Sequence, residues 1–196
     1  MTPMDMLLTR ASTDLLAEPA PSEAQLSEIL AAAMRAPDHG KLRPWRYVVF
    51  RGEARPALAE RVIASMLRLD ANAPEFKIEK RRKRFSTMPL VLGLGMHLLP
   101  NHKIPLWEQE IAVGAAAMNV LNALHATGFG GIWVSGDITE DPVLAEEIGF
   151  PAPHRLAGFL FIGTPEGDLP APKRPDPADF TASWTGKPVT FAADRS

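Results

Sequence analysis

Apolar residues recur at helical spacing soon after Ser22: Leu26, Ile29, Leu30, Ala33 and Met34 fall on one face. Ser22 and Gln25 have capping-box spacing, in which each side chain bonds the other's backbone N–H. Pro37 disfavours helical geometry at the residue before it, so this helix is expected to stop near Arg35. Trp45–Phe50 (WRYVVF) is aromatic and β-branched and reads as a strand. Arg55–Leu69 reads as a helix, and Leu90–His97 as an apolar strand. Trp107–Ala126 is the strongest helical segment, with Ile111, Ala115, Met118 and Leu121 on one side. Its small residues suit close approach by a second helix, which predicts a central position. Gly131–Ser135 and Leu156–Gly163 are strand candidates. Between them lies a short helix, Pro142–Ile148, with Asp141 as N-cap and Gly149 as its stop.

The element order is helix, helix, strand, helix, strand, long helix, strand, short helix, strand. It predicts a mixed α/β sandwich, not a regular βαβ repeat. We expect one domain over residues 1–196, in which about 164–196 form a proline-rich extension. That extension is too polar to build a core of its own; it must lie on the domain, lie on a partner, or stay loose.

Composition changes this picture mainly by exclusion. The 196 residues are 46% apolar and 22% charged, within the globular range. Net charge is −2, so nothing pulls the chain as a whole toward nucleic acid or an anionic membrane. The absence of cysteine removes thiol catalysis, disulfides, zinc-thiolate sites and iron–sulfur clusters. His97, His102, His125 and His154 show no metal-ligand spacing, and neither HEXXH nor G-x-S-x-G occurs. The most apolar run, Pro89–Pro100, is too short for a bilayer and is bounded by prolines. The amino terminus lacks a secretory pattern, so a cytoplasmic protein is expected.

Four stretches carry candidate chemistry. Arg10 and Ser12 place a cation and a hydroxyl at a helix end, where a phosphate can be held. The plain alternative is a surface Arg and an N-cap Ser. Arg35–Trp45 (RAPDHGKLRPW) packs charged groups and His39 into a loop between a helix and a strand, the setting in which binding residues concentrate. It could equally be a solvated connection with Trp45 in the core. Gly128–Trp133 (GFGGIW) brings three glycines into a strand and permits close backbone approach to a ligand. Its helix-then-strand order is the reverse of the dinucleotide fingerprint, and a helix stop alone explains Gly128. Lys77–Arg84 holds six basic residues. It reads as a nucleic-acid or substrate-phosphate contact, or as one solvated face of a charged helix.

Taken together, Arg10-Ala11-Ser12, Ala36-Pro37-Asp38-His39…Pro44-Trp45 and Gly128–Trp133 resemble the flavin-dependent nitroreductase family, most closely its short, single-domain YdjA-like branch. LLAEPAP (Leu15–Pro21), HKIPLWEQE (His102–Glu110), GFGGIWVSG (Gly128–Gly136) and GFLFIGTP (Gly158–Pro165) add to the resemblance. It runs in order through most of residues 5–165.

The resemblance implies an α+β, three-layer sandwich with a mixed, mostly antiparallel sheet, assembled as an intertwined homodimer with FMN at its interface. It implies that Arg10, Ala11 and Ser12 hold the FMN phosphate and ribityl chain. Arg35 and His39 would reach the flavin from the partner subunit, and Gly131, Ile132 and Trp133 would lie along its ring. Lys173 and Arg174 are further candidates for phosphate contact. Ala11 stands where the family usually has a second arginine, and Lys41 and Arg43 stand where many members have Asn and Gln. The implied activity is ping-pong oxidation of NADH or NADPH with reduction of a nitroaromatic, quinone or similar small-molecule acceptor. Arg10, Lys41 and Arg43 would steady negative charge on the flavin. Neither nucleic acid nor membrane is expected as a partner. Two alternatives stand beside this: a flavoprotein of the same fold with dehydrogenation, dehalogenation or flavin-consuming chemistry, and a nucleic-acid-binding module using residues 77–84.

Overall fold

A computed structural model describes residues 2–167 and 172–195; residues 168–171 and 196 of the expected extension, with Met1, lie outside the described residues. Helix α1 (Pro3–Thr9) leads to a two-residue strand, β1 (Leu16–Ala17), and then to α2 (Glu23–Ala33). The capping box predicted for α2 is present: Ser22 Oγ accepts from Gln25 N–H at 3.3 Å and Gln25 Oε1 accepts from Ser22 N–H at 2.9 Å. Strand β2 (Trp45–Phe50) precedes α3 (Ala54–Leu69) and α4 (Glu75–Thr87). Strand β3 (Leu90–His97), the long helix α5 (Leu106–Ala126), β4 (Gly130–Val134), α6 (Pro142–Glu147) and β5 (His154–Pro165) complete the order.

Strand β5 is the hub. It pairs with β3 along one edge, with β4 along the other and with β1 at its end, while β2 closes the outer edge of β3; all four pairings are antiparallel. Successive strand residues face opposite sides, so β3 and β5 feed two separate cores. Leu90, Leu92, Leu94, Leu160 and Ile162 pack with α2 and α5. Val91, Phe159 and Phe161 pack with α3, α4 and α6 on the other face. The expected three-layer α+β sandwich follows from this division. Among the described residues, no helix is long and apolar enough to cross a membrane.

Two sequence expectations are corrected. In α5 the buried stripe is Ala112, Val113, Ala116, Ala117, Val120, Leu121 and Leu124, whereas Ile111 and Met118 are 62% and 47% exposed. The helix is apolar nearly all round, so periodicity cannot choose its inner face. The small side is the one that lets the sheet approach. In α2, Met34 falls beyond the last turn and is exposed, although its sulfur accepts from the Trp45 indole N–H at 3.0 Å.

Candidate functional site

Strand β4 is short and closely overlain. The N–H of Thr13 donates to Gly131 O at 3.2 Å, which lays the segment Arg10–Asp14 along the start of β4. A Cβ at Gly130 would meet Pro165 at 2.8 Å and Thr13 at 3.1 Å; one at Gly131 would meet Phe161 O at 2.8 Å. These two glycines are therefore required by the packing of the protein on itself. Gly128 has φ +84 and ends α5, as read from the sequence.

Arg10 is half-buried, with its Nη1 3.5 Å from Ser12 Oγ. The tail returns to the same spot: Arg174 Nη2 donates to Arg10 O at 3.1 Å. Burial, reinforced by the Arg174 charge, pulls the Arg10 pKa down. Among the described residues neither arginine forms an ion pair. Two arginines that feel each other's charge without a counterion make a site that an anion would relieve. Ala11, next to Arg10, is half-buried, and Lys173 is exposed.

At the far end of β4 is a cavity of about 290 Å³. Val134 and Ser135 form one side, Phe85 and Phe161 the floor, and Lys77, Lys80, Arg81 and Arg84 the other side. The four cations lie at i, i+3, i+4 and i+7 along α4, one helical face. Ile78 and Phe85 are the residues that anchor this helix in the core. Burial pulls the Arg81 pKa down, Asp137 opposes that pull, and Arg84 adds to it. The Arg84 guanidinium lies 5.0 Å over the Phe161 ring, and its Nη2 is 2.9 Å from Asp14 Oδ2. Its Nε–H is buried without a partner. Arg82, off this face, pairs with Glu60 and Glu79.

Alternation along β4 separates Ile132 from Trp133. Ile132 packs toward the α3–α4 side, together with Val134. Trp133 turns to the other face, where its indole N–H donates to Ala157 O at 3.1 Å. A Cβ on Gly158, whose φ is +138, would fall within 2.5 Å of that indole. Trp133 also lines a second depression with Met96, Glu110 and Arg155. Val134 and Ser135 were not among the sequence candidates. The i, i+2 alternation from Ile132 would have pointed to Val134.

Within one chain the remaining candidates stand apart from this site. Arg35 borders a groove between α1, α2 and α5 with Leu7, Ile29 and Asn119. His39 is exposed, and its Nδ1 is 2.6 Å from Glu108 at the start of α5. Asp38 caps the loop by accepting from the N–H groups of Leu42 and Arg43 at 3.1 and 2.8 Å. Lys41 and Arg43 occupy the left-handed region at φ 55 and 50. No group of three or more potential metal ligands occurs among the described residues.

The family model described as "Nitroreductase family" matches residues 9–164. The chain is 40% identical over 166 residues to "Putative NAD(P)H nitroreductase YdjA" of Escherichia coli (strain K12), covering 85% of this chain and 90% of that one. Among solved structures, a nitroreductase-like family protein from Bacillus cereus superposes with TM-score 0.81 at 25% identity, covering 95% of this chain and 97% of the other. The FMN and NADPH-dependent nitroreductase NfnB from Sphigopyxis sp. strain HMH superposes with TM-score 0.73 at 19% identity, covering 95% and 100%. The fold is thus the nitroreductase sandwich. The chain belongs to the nitroreductase family.

Proposed function

We propose that this protein is an FMN-dependent oxidoreductase that oxidises NADH or NADPH and reduces nitroaromatics, quinones or related small acceptors. The observation that carries the reading is a pair of cationic clusters, one beside the start of β4 and one at its end. Arg10, Ser12 and Arg174 form an unneutralised anion site at one end. Four cations of α4 surround the cavity at the other. A ligand with a phosphate joined by a flexible chain to a flat, electron-accepting ring matches that layout.

When bound, FMN would accept a hydride from the nicotinamide and deliver it to the acceptor, which is why no side-chain nucleophile is required. The protein's share is binding and electrostatics. Arg10 and Arg174 would hold the phosphate by charge-assisted bonds. Arg84, Lys80 and Arg81 would face the pyrimidine side as preorganised positive charge. These α4 residues take the role first considered for Lys41 and Arg43. Donor and acceptor would use one exposed ring face in turn, so initial-rate plots against both substrates should be parallel.

The assembly we propose is a homodimer. Leu7 and Leu8 of α1, and Trp107, Ile111 and Met118 of α5, are all large, apolar and exposed. Covering this face with a second copy removes apolar surface from water and brings Arg35 and His39 against another subunit. The test is the visible spectrum of the purified protein and of the supernatant after heat denaturation, followed by NAD(P)H oxidation with a nitroaromatic or quinone. Release of FMN and rapid turnover are expected. A protein that neither carries nor takes up FMN overturns the reading. FMN without acceptor reduction points instead to another reaction on the same fold.

A further inference from the structure

We infer that Asp14 is a charge-attenuating residue that weakens the positive field of the α4 cavity and thereby holds down the reduction potential of the bound FMN. The inference rests on the proposed placement of the flavin ring beside α4. None of the residues lining the cavity is acidic. Among the described residues, Asp14–Arg84 is the one ion pair made by a lining cation, with the carboxylate 2.9 Å from the guanidinium. Asp14 reaches it because the Thr13–Gly131 bond fixes the backbone one residue earlier. Phe161 supports the guanidinium from below at 5.0 Å, so Arg84 has a second restraint that does not depend on Asp14. The carboxylate therefore contributes chiefly negative charge. A ligand that gains electrons becomes more negative, and its reduced form feels the missing field more strongly than its oxidised form.

Asp14→Asn keeps an oxygen for Arg84 to donate to while removing the charge. FMN affinity should tighten, and the reduced cofactor should gain about tenfold more than the oxidised one, a positive shift of about 30 mV for a two-electron couple. The measurements are FMN dissociation constants by fluorescence titration and the midpoint potential by dye-linked spectroscopic reduction. Asp14→Ser provides a second variant, and the potential shift caused by Asp14→Asn should persist in an Arg84→Gln background, because the carboxylate's field does not act through Arg84. If Asp14 serves instead to clamp Arg84 in place, both variants loosen FMN and leave the potential unchanged or lower, and the inference is overturned. An unchanged affinity and potential overturn it equally. A wild type that takes up no FMN removes the underlying functional reading first, an outcome seen before any variant is made.

Discussion

The two cation-rich regions of this molecule solve opposite problems. Helix α4 directs four basic side chains at i, i+3, i+4 and i+7 onto one face, and that face closes over a cavity floored by Phe85 and Phe161. The loop Asp38–Arg43 also gathers positive charge, but its cations Lys41 and Arg43 are exposed. Its one acid, Asp38, is engaged with backbone N–H groups, and Glu108 of α5 holds His39. In α4 the phase of the charges makes a site inside one chain. In the loop, Lys41 and Arg43 sit in left-handed backbone and are exposed. A charged run is thus not one kind of object; what lies behind it decides whether it binds or presents.

The comparison breaks most decisively at the end of β4 away from α4. Arg10→Ala should remove a charge-assisted phosphate contact of about 1.5–3 kcal/mol, weakening FMN roughly tenfold to a hundredfold. Fluorescence titration measures it, and unchanged affinity would remove Arg10 from the site. A finer test stays within α4. Lys80 lines the cavity, whereas Lys83 is exposed on another face. Lys80→Gln should weaken FMN a few-fold, about 0.5–1 kcal/mol, with Lys83→Gln neutral. Equal effects from the two would mean that total charge, not phase, is what the ligand feels.

The loop answers to a different measurement. A non-glycine residue in the left-handed region costs about 1–2 kcal/mol, and glycine returns part of that as chain entropy. Lys41→Gly should therefore raise stability by about 0.5–1 kcal/mol, a melting temperature about 1–4 °C higher. A lower melting temperature would mean that the Lys41 side chain is held by contacts worth more than the strain.

Much of this was legible in the chain before folding, and the failures have physical causes. Local rules worked where local interactions decide: the Ser22–Gln25 box, the Gly128 stop and the strand Trp45–Phe50 fall where expected. They failed on α5, because a helix apolar on nearly every side carries little phase to read. The basic segment was readable as a helix face, but not as a cavity wall, because the opposing residues Val134, Ser135 and Phe161 are far away in sequence. Arg174 meets Arg10 across 164 positions, a pairing that no spacing argument reaches. Arg35 and His39 were expected to act in the partner's site. Within the chain, Arg35 borders the α1–α2–α5 groove and His39 pairs with Glu108.

The smallest expected effect tests the support beneath the loop. His97 ends β3 and anchors the residue that follows Arg43: its N–H donates to Pro44 O at 2.7 Å. Its ring lies tilted against that of His154, with centroids 4.8 Å apart, and its Nδ1 is buried without a partner. Desolvation first, then Arg46 and His154, holds its pKa below the usual 6.5. The folded state thus prefers neutral His97, so the contribution to stability is complete above 6.5 and is lost as pH falls through the lowered value. Melting temperatures measured from about pH 7.5 down to about pH 5 should therefore fall less steeply in His97→Gln than in the wild type. If the two slopes coincide, protonation of His97 is not what loosens the loop in acid. The left-handed residues above it would then rest on the Asp38 cap, whose loss in Asp38→Ala should leave the pH slope intact and lower the melting temperature at every pH.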